Sequence, residues 1–138
     1  MKEIISQKAP EPVGAYPHAR KVGDLLFLSG VGPRQRGSKD IPGVILNELG
    51  EVQSYNVAEQ THAVIKNIEL VLQDAGATLK DLVDVQVFLI NMKQDFPIFN
   101  QVYAQYFDAK TGPCRTTIEV GALPTPIAVE IKAIARLA

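Results

Sequence analysis

The stretch Gly112–Ala138 constrains the fold of this chain most, because it alternates twice with a hard stop between. From Arg115 to Ala122, Arg115, Thr117, Glu119 and Gly121 fall on one side, and Thr116, Ile118, Val120 and Ala122 on the other. From Ile127 to Leu137, Ile127, Val129, Ile131, Ala133, Ala135 and Leu137 oppose Ala128, Glu130, Lys132, Ile134 and Arg136. A period of two places successive side chains on opposite faces of a sheet. Leu123-Pro124-Thr125-Pro126 cannot extend a strand, since its prolines carry no N–H donor. The pattern predicts two strands joined by this turn, each with an apolar face and a charged one. If they share a sheet, Arg115 and Glu130 project from the same face. A fixed guanidinium beside a carboxyl group would take an anionic substrate on which a proton must move. The alternative is a structural ion pair on a solvated face.

The rest of the chain supplies neighbours for those strands. Lys2–Ser6 reads as a short edge strand, ended by the Pro-rich Ala9–Pro12. Val13–His18 is a loop in which Pro17 biases Tyr16 toward extended geometry. Ala19–Val22 and Leu25–Ser29 flank Gly23-Asp24 as a hairpin. The unbroken apolar run Leu25–Leu28 predicts a strand buried on both faces. The chain turns at Gly30–Arg34, and polar Gln35–Asn47 reads as a long loop, a feature often tied to function.

Asn56–Ala75 is a helix. Val57, Thr61, Val64, Ile65, Ile68, Val71, Leu72 and Ala75 recur at three and four, Asn56 caps the start with Glu59 as reciprocal partner, and Gly76 ends it. Val83–Ile90 alternates as a strand. Asp95–Phe107 is a second helix, with Phe96, Phe99, Val102, Tyr103, Tyr106 and Phe107 on its apolar side. This order predicts an α+β fold with two helices on one face of a mixed or mostly antiparallel sheet. The opposite face would carry Asp84, Gln86, Phe88, Ile90, Arg115, Thr117, Glu119, Glu130, Lys132 and Ile134. That mixture is too apolar for a wet face and too charged for a monomer's core. A symmetric oligomer covering part of it resolves the conflict.

Length and charge narrow the function. At 138 residues one domain, 1–138, is expected. A net charge of −1 with no basic block disfavours nucleic acid. The single Cys114 excludes an intramolecular disulfide and suits a reducing compartment. No apolar run approaches a membrane span, and Met1–Pro10 lacks the core of a signal peptide, so a cytoplasmic location is the expectation.

Several side chains are candidates for chemistry. Arg115 opens its strand and could pair bidentately with a carboxylate, which Lys could not reproduce. Glu130 sits between apolar neighbours, where desolvation would raise its pKa toward that of a general acid. Its alternative is an interface salt bridge. Cys114 could be a nucleophile, although neither His is near it in sequence; otherwise it is a packing residue. His18 and His62 have no metal-ligand spacing. His62 reads as solvated, and His18, in the Tyr16 loop, as either functional or structural. Arg34 and Arg36 flank glycines and could grip a second anion, or be ordinary solvated charge.

Gly14-Ala15-Tyr16-Pro17-His18-Ala19, Leu26-Phe27-Leu28-Ser29-Gly30, Val85-Gln86-Val87-Phe88-Leu89 and Cys114-Arg115-Thr116-Thr117 through Val129-Glu130-Ile131 resemble the YjgF/RidA family of enamine/imine deaminases, in order and spacing, over nearly the whole chain. Ala-Tyr-Pro-His-Ala-Arg, Gly-Val-Gly-Pro-Arg and Pro-Cys-Arg-Thr-Thr most resemble the family's 2-aminomuconate deaminases.

The resemblance implies a chorismate-mutase-like fold, a six-stranded mixed sheet with two helices on one face. It also implies a homotrimer with a central barrel and three sites between subunits. It makes Arg115 the substrate-carboxylate arginine and Glu130 the group handling the proton and the attacking water. Tyr16 becomes the tyrosine of a closing loop, and Ser29 a site serine. Asn91, Cys114, His18 and Arg34 are expected to bind substrate with them. Thr117, where many relatives carry Cys, and Pro33-Arg34 depart from the pattern and suit a more anionic substrate. The implied reaction is hydrolysis of 2-aminomuconate to 4-oxalocrotonate (2-hydroxymuconate) and ammonia, without metal or cofactor. The alternatives are a broad-range 2-aminoacrylate-type deaminase and a non-catalytic binding or chaperone-like protein. An RNA-cleaving role ascribed to some relatives conflicts with the charge.

Overall fold

The computed structural model describes every residue from Met1 to Ala138. Ten elements follow in order: β1 (Lys2–Ile4), β2 (Ala19–Val22), β3 (Leu25–Leu28), β4 (Val44–Leu46), β5 (Val52–Tyr55), α1 (Val57–Asp74), β6 (Leu82–Leu89), α2 (Met92–Tyr103), β7 (Cys114–Glu119) and β8 (Val129–Arg136). A single 3-10 turn, Leu79–Asp81, precedes β6. Six strands form one sheet in the order β1-β2-β3-β8-β6-β7, antiparallel throughout except for the parallel pair β6–β7. The fold is α+β, with a six-stranded mixed sheet and both helices on one face.

The last two strands share this sheet without pairing with each other. β7 and β8 are consecutive in sequence, yet β6 lies between them. The reason is the crossover. α2 carries the chain from the end of β6 back to its start, so β7 must run parallel to β6. The Pro-rich connection then crosses β6 to reach its other edge, where β8 pairs antiparallel.

The inner sheet face packs Leu26, Leu28, Val85, Val87, Leu89, Val129 and Ile131 against Val64, Ile68, Val71 and Leu72 of α1 and Phe99 of α2. Each such side chain contributes roughly 1.5–3 kcal/mol on burial. β8 brings Ala133 and Ala135, fully buried and short, where α1 lies over the sheet. Asn56 caps α1 by accepting from the Glu59 amide at 2.9 Å, but Glu59 does not reciprocate, because the Asn56 amide donates to the Gly43 carbonyl at 2.7 Å instead. Gly76 follows α1 at φ +75°, a left-handed conformation that glycine adopts without strain.

Three other expectations change. The Leu25–Leu28 run is buried on one face only, because the outer sheet face has no covering layer in the chain: Leu26 and Leu28 are buried while Leu25 is exposed. The Gln35–Asn47 loop contains β4, which pairs with β5 as a separate two-stranded hairpin. Tyr55 at its end donates to Asp95 Oδ2 at 2.7 Å, tying the hairpin to α2. α2 itself starts at Met92 rather than Asp95, because Asn91 Oδ1 caps it by accepting from the Gln94 amide at 3.3 Å.

Candidate active site

Four segments converge where β8 begins. The Pro-rich segment brings Tyr16, the end of β3 brings Ser29 and Gly30, the next turn brings Arg34, and the Pro124–Ile127 connection closes the rim. Together with Glu130 they line a cleft of about 320 Å³.

Glu130 points outward from β8 beside Phe88 of β6. A Cβ built on Gly30 would stand 2.6 Å from Glu130 Oε2, so only glycine leaves the carboxyl group its present place. Burial raises the Glu130 pKa above the ordinary carboxyl value, and the Arg34 guanidinium pulls it down without offsetting the burial. The result is a carboxyl group able to hold and release a proton nearer neutrality.

Arg34 is fixed by its own backbone. Asn67, buried on α1, donates through Nδ2 to the carbonyls of Gly32 at 2.9 Å and Arg34 at 2.8 Å. The Arg34 Nη2 donates to the Glu11 carbonyl at 2.7 Å. Arg36 turns away from the cleft and straps the N-terminal segment, donating to the carbonyls of Ala9 and Ser6 and pairing with Glu11 at 3.2 Å. Ser29 Oγ donates to the Pro17 carbonyl at 2.7 Å, which leaves its lone pairs for the cleft. The Tyr16 hydroxyl accepts from the Val13 amide at 3.1 Å and closes the loop on itself.

The remaining candidates lie elsewhere or are already bonded. His18 is buried with both ring nitrogens taken: Nδ1 accepts from the Ser6 amide at 3.0 Å, and Nε2 donates to the Pro10 carbonyl at 2.8 Å. Asn91 spends its side chain on Gln94 as the α2 cap. The neighbouring Ile90 amide is bonded to the Ala128 carbonyl. Cys114 is exposed on the outer sheet face beside Asp84. His62 is paired rather than solvated, its Nδ1 lying 2.5 Å from the Tyr106 hydroxyl. Lys132, whose pKa burial lowers, donates from Nζ to the Leu28 carbonyl and does not pair with Glu130.

Arg115 is the main correction. It sits in β7 beside Val85, whose side chain faces the helices, whereas Glu130 sits beside outward-facing Phe88. The two residues therefore project from opposite faces of the sheet. The parity of each strand is fixed by its pairing with β6, which the alternation alone could not supply. The Arg115 guanidinium lies 4.6 Å from the Tyr103 ring centroid and donates from Nη2 to Asn100 Oδ1 at 2.8 Å. It borders a second concavity with Tyr103, Phe107 and Pro113. One chain thus holds the Glu130 carboxyl group and the Arg115 guanidinium apart, on opposite faces of its sheet.

Sequence reasoning passed over Asn67, Gly30 and Asn100. A signal existed for Asn67, which with Gln60 is one of two amides inside the buried stripe of an amphipathic helix. None existed for the closeness of Gly30 to Glu130, which depends on Val31 bridging to Ile131 through hydrogen bonds of 2.8 and 2.9 Å.

Residues 6–137 match the family described as endoribonuclease L-PSP. A RutC family protein of Saccharolobus solfataricus is 44% identical over 137 residues, covering 99% of this chain and 98% of that protein. The Reactive Intermediate Deaminase A, chloroplastic, of Arabidopsis thaliana is 38% identical over 137 residues, covering 99% of this chain and 66% of that protein. Among solved structures, Escherichia coli TdcF with bound serine superposes with a TM-score of 0.83 at 28% identity, covering 100% of both chains.

Proposed function

We propose that this chain, which belongs to the endoribonuclease L-PSP family together with RutC proteins and Reactive Intermediate Deaminase A, hydrolytically deaminates enamine or imine carboxylates. The observation that carries the reading is Glu130, a half-buried carboxyl group with a raised pKa, seated against Gly30 and facing Arg34 in one cleft. An enamine is protonated at carbon to give an imine. Water then adds to the imine carbon, and the carbinolamine expels ammonia to leave the ketone. Glu130 would move the proton and activate the water. Arg115 would hold the carboxylate and orient the C–N bond.

The two half-sites lie on opposite faces of one sheet, so they can act together only between copies. This supports a homotrimer with its sites between subunits, Arg115 on edge strand β7 of one copy meeting Glu130 of the next. Within the reaction class we assign 2-aminomuconate as substrate, giving 4-oxalocrotonate (2-hydroxymuconate). That dicarboxylate has a second anionic end, and Arg34 is the cation in the Glu130 cleft. Leaving the distal carboxylate unpartnered there would be costly, whereas a charge-assisted contact contributes roughly 1.5–3 kcal/mol.

A broad-range deaminase is the second reading, favoured by the Arg34–Glu11 carbonyl bond, which already occupies part of that guanidinium. Steady-state kinetics of Arg34→Ala on 2-aminomuconate and on 2-aminoacrylate separates the two. The dicarboxylate reading expects KM to rise at least about tenfold for 2-aminomuconate alone. Unchanged KM on both substrates returns the protein to the broad-range reading.

A further inference from the structure

Arg115 is held entirely by groups without charge. Its Nη2 donates to Asn100 Oδ1 at 2.8 Å, the only side-chain hydrogen bond either residue makes. The guanidinium carbon lies 4.6, 5.6 and 5.8 Å from the ring centroids of Tyr103, Phe99 and Phe96, so three π faces of α2 support the cation. The chain's two ion pairs, Arg36–Glu11 and Arg136–Asp24, leave Arg115 out. An aspartate in the place of Asn100 would grip the arginine harder, since charge-assisted hydrogen bonds are about twice as strong as neutral ones. It would also cancel the charge. An arginine with no support would keep its charge and lose its direction, because its long side chain has many rotamers.

Resting on the reading of Arg115 as the carboxylate-binding residue, we propose that Asn100 is its positioning residue. The amide fixes the guanidinium over the α2 rings and leaves both its unit charge and its Nε and Nη1 donors for an incoming carboxylate. The same arrangement makes the site selective for anions. A neutral enamine gains nothing from the unpaired charge, whereas a carboxylate meets a cation in no ion pair; Asp108, which shares its concavity, accepts from Lys110 and Thr111 of its own turn.

The test sets Asn100→Asp against Asn100→Ala in kinetics on 2-aminoacrylate released in situ by a pyridoxal-phosphate lyase, with melting temperature read alongside. The aspartate keeps an acceptor of the same size and neutralises Arg115. The alanine frees Arg115 and leaves its charge. We expect Asn100→Asp to raise KM at least about tenfold with kcat within about twofold and no loss of melting temperature, and Asn100→Ala to raise KM less. A merely structural amide predicts the opposite order, with the aspartate close to wild type, and that result overturns the proposal. So does wild-type KM in both variants when Arg115→Ala is crippled. If Arg115→Ala itself keeps a wild-type KM, the carboxylate reading of Arg115 fails first and takes this inference with it. Should Asn100→Asp not fold, Asn100→Glu against Asn100→Gln carries the same comparison: the acid is expected to raise KM more than the amide, and the reverse order overturns the proposal.

Discussion

At Glu130, burial and charge pull in opposite directions. Burial favours the protonated carboxyl and Arg34 the carboxylate, and burial is the larger effect. If Glu130 activates water as a base, kcat/KM rises with pH through its titration. Removing Arg34 removes the opposing charge, so Arg34→Ala should shift that acid limb to higher pH. A pH–rate profile with an unmoved limb would dissociate Arg34 from Glu130. Glu130→Gln keeps the shape of the side chain and removes its titration. It should lower kcat by roughly 10²–10⁴-fold with little effect on folding. The same scale separates residues that chemistry can use from those already spent. The His18 ring is a brace between two backbone groups, and Arg36 is a strap on the N-terminal segment.

At the scale of elements, the β4–β5 hairpin hangs on one polar contact. Asp95 is almost fully buried on α2, and burial raises its pKa while the Tyr55 hydrogen bond lowers it. Because the folded state binds the Asp95 proton more tightly than the unfolded chain does, this group's contribution to stability is fully present below the ordinary carboxyl pKa. It is lost as pH rises through the raised folded value. Asp95→Asn abolishes the titration. Its melting temperature relative to wild type should therefore climb between acid and neutral pH, and a constant difference would contradict the assigned direction. Tyr55→Phe leaves the buried carboxyl without its donor and should cost about 1–3 kcal/mol at neutral pH in a denaturant titration. A loss below the error of the titration would mean the hairpin is held by packing alone.

For the whole molecule, the outer sheet face is unfinished. Val22, Leu25 and Ile118 are exposed on it, and Phe27, Phe88 and Ile134 are half-covered around the desolvated Lys132. β7 is a sheet edge with one side of its backbone unpaired. Surfaces of this kind are covered by partners, and a second copy of the chain is the partner that would also unite Arg115 with Glu130. Light scattering should give the mass of three chains. Arg115→Ala and Glu130→Gln should each be inactive alone. Mixed by unfolding and refolding together, they should recover activity in roughly a quarter of sites, since random assortment then pairs an intact Arg115 with an intact Glu130 across an interface. No recovery in well-formed mixed oligomers would place both residues of each site on one chain.

Local regularities were legible without the fold. The alternation of β7 and β8, the three–four repeat of α1 and its Asn56 cap are written in neighbouring residues, because strand parity and helix capping depend on positions one to four apart. The resemblance to a known family likewise rested on short motifs. What tertiary structure decided was which parity faces which neighbour. Arg115 and Thr117 sit on alternate positions of β7, but only the parallel pairing with β6 turns them toward α2 rather than toward Glu130. β4 lies within the stretch Gln35–Asn47 that reads as a loop, because the hairpin strands are short and the fastening of Tyr55 to Asp95 spans forty positions of sequence. His18 and Asn67 became structural clamps only when remote backbone groups came within hydrogen-bonding distance. Periodicity is a property of the chain, whereas adjacency between distant residues exists only once the strands have been ordered.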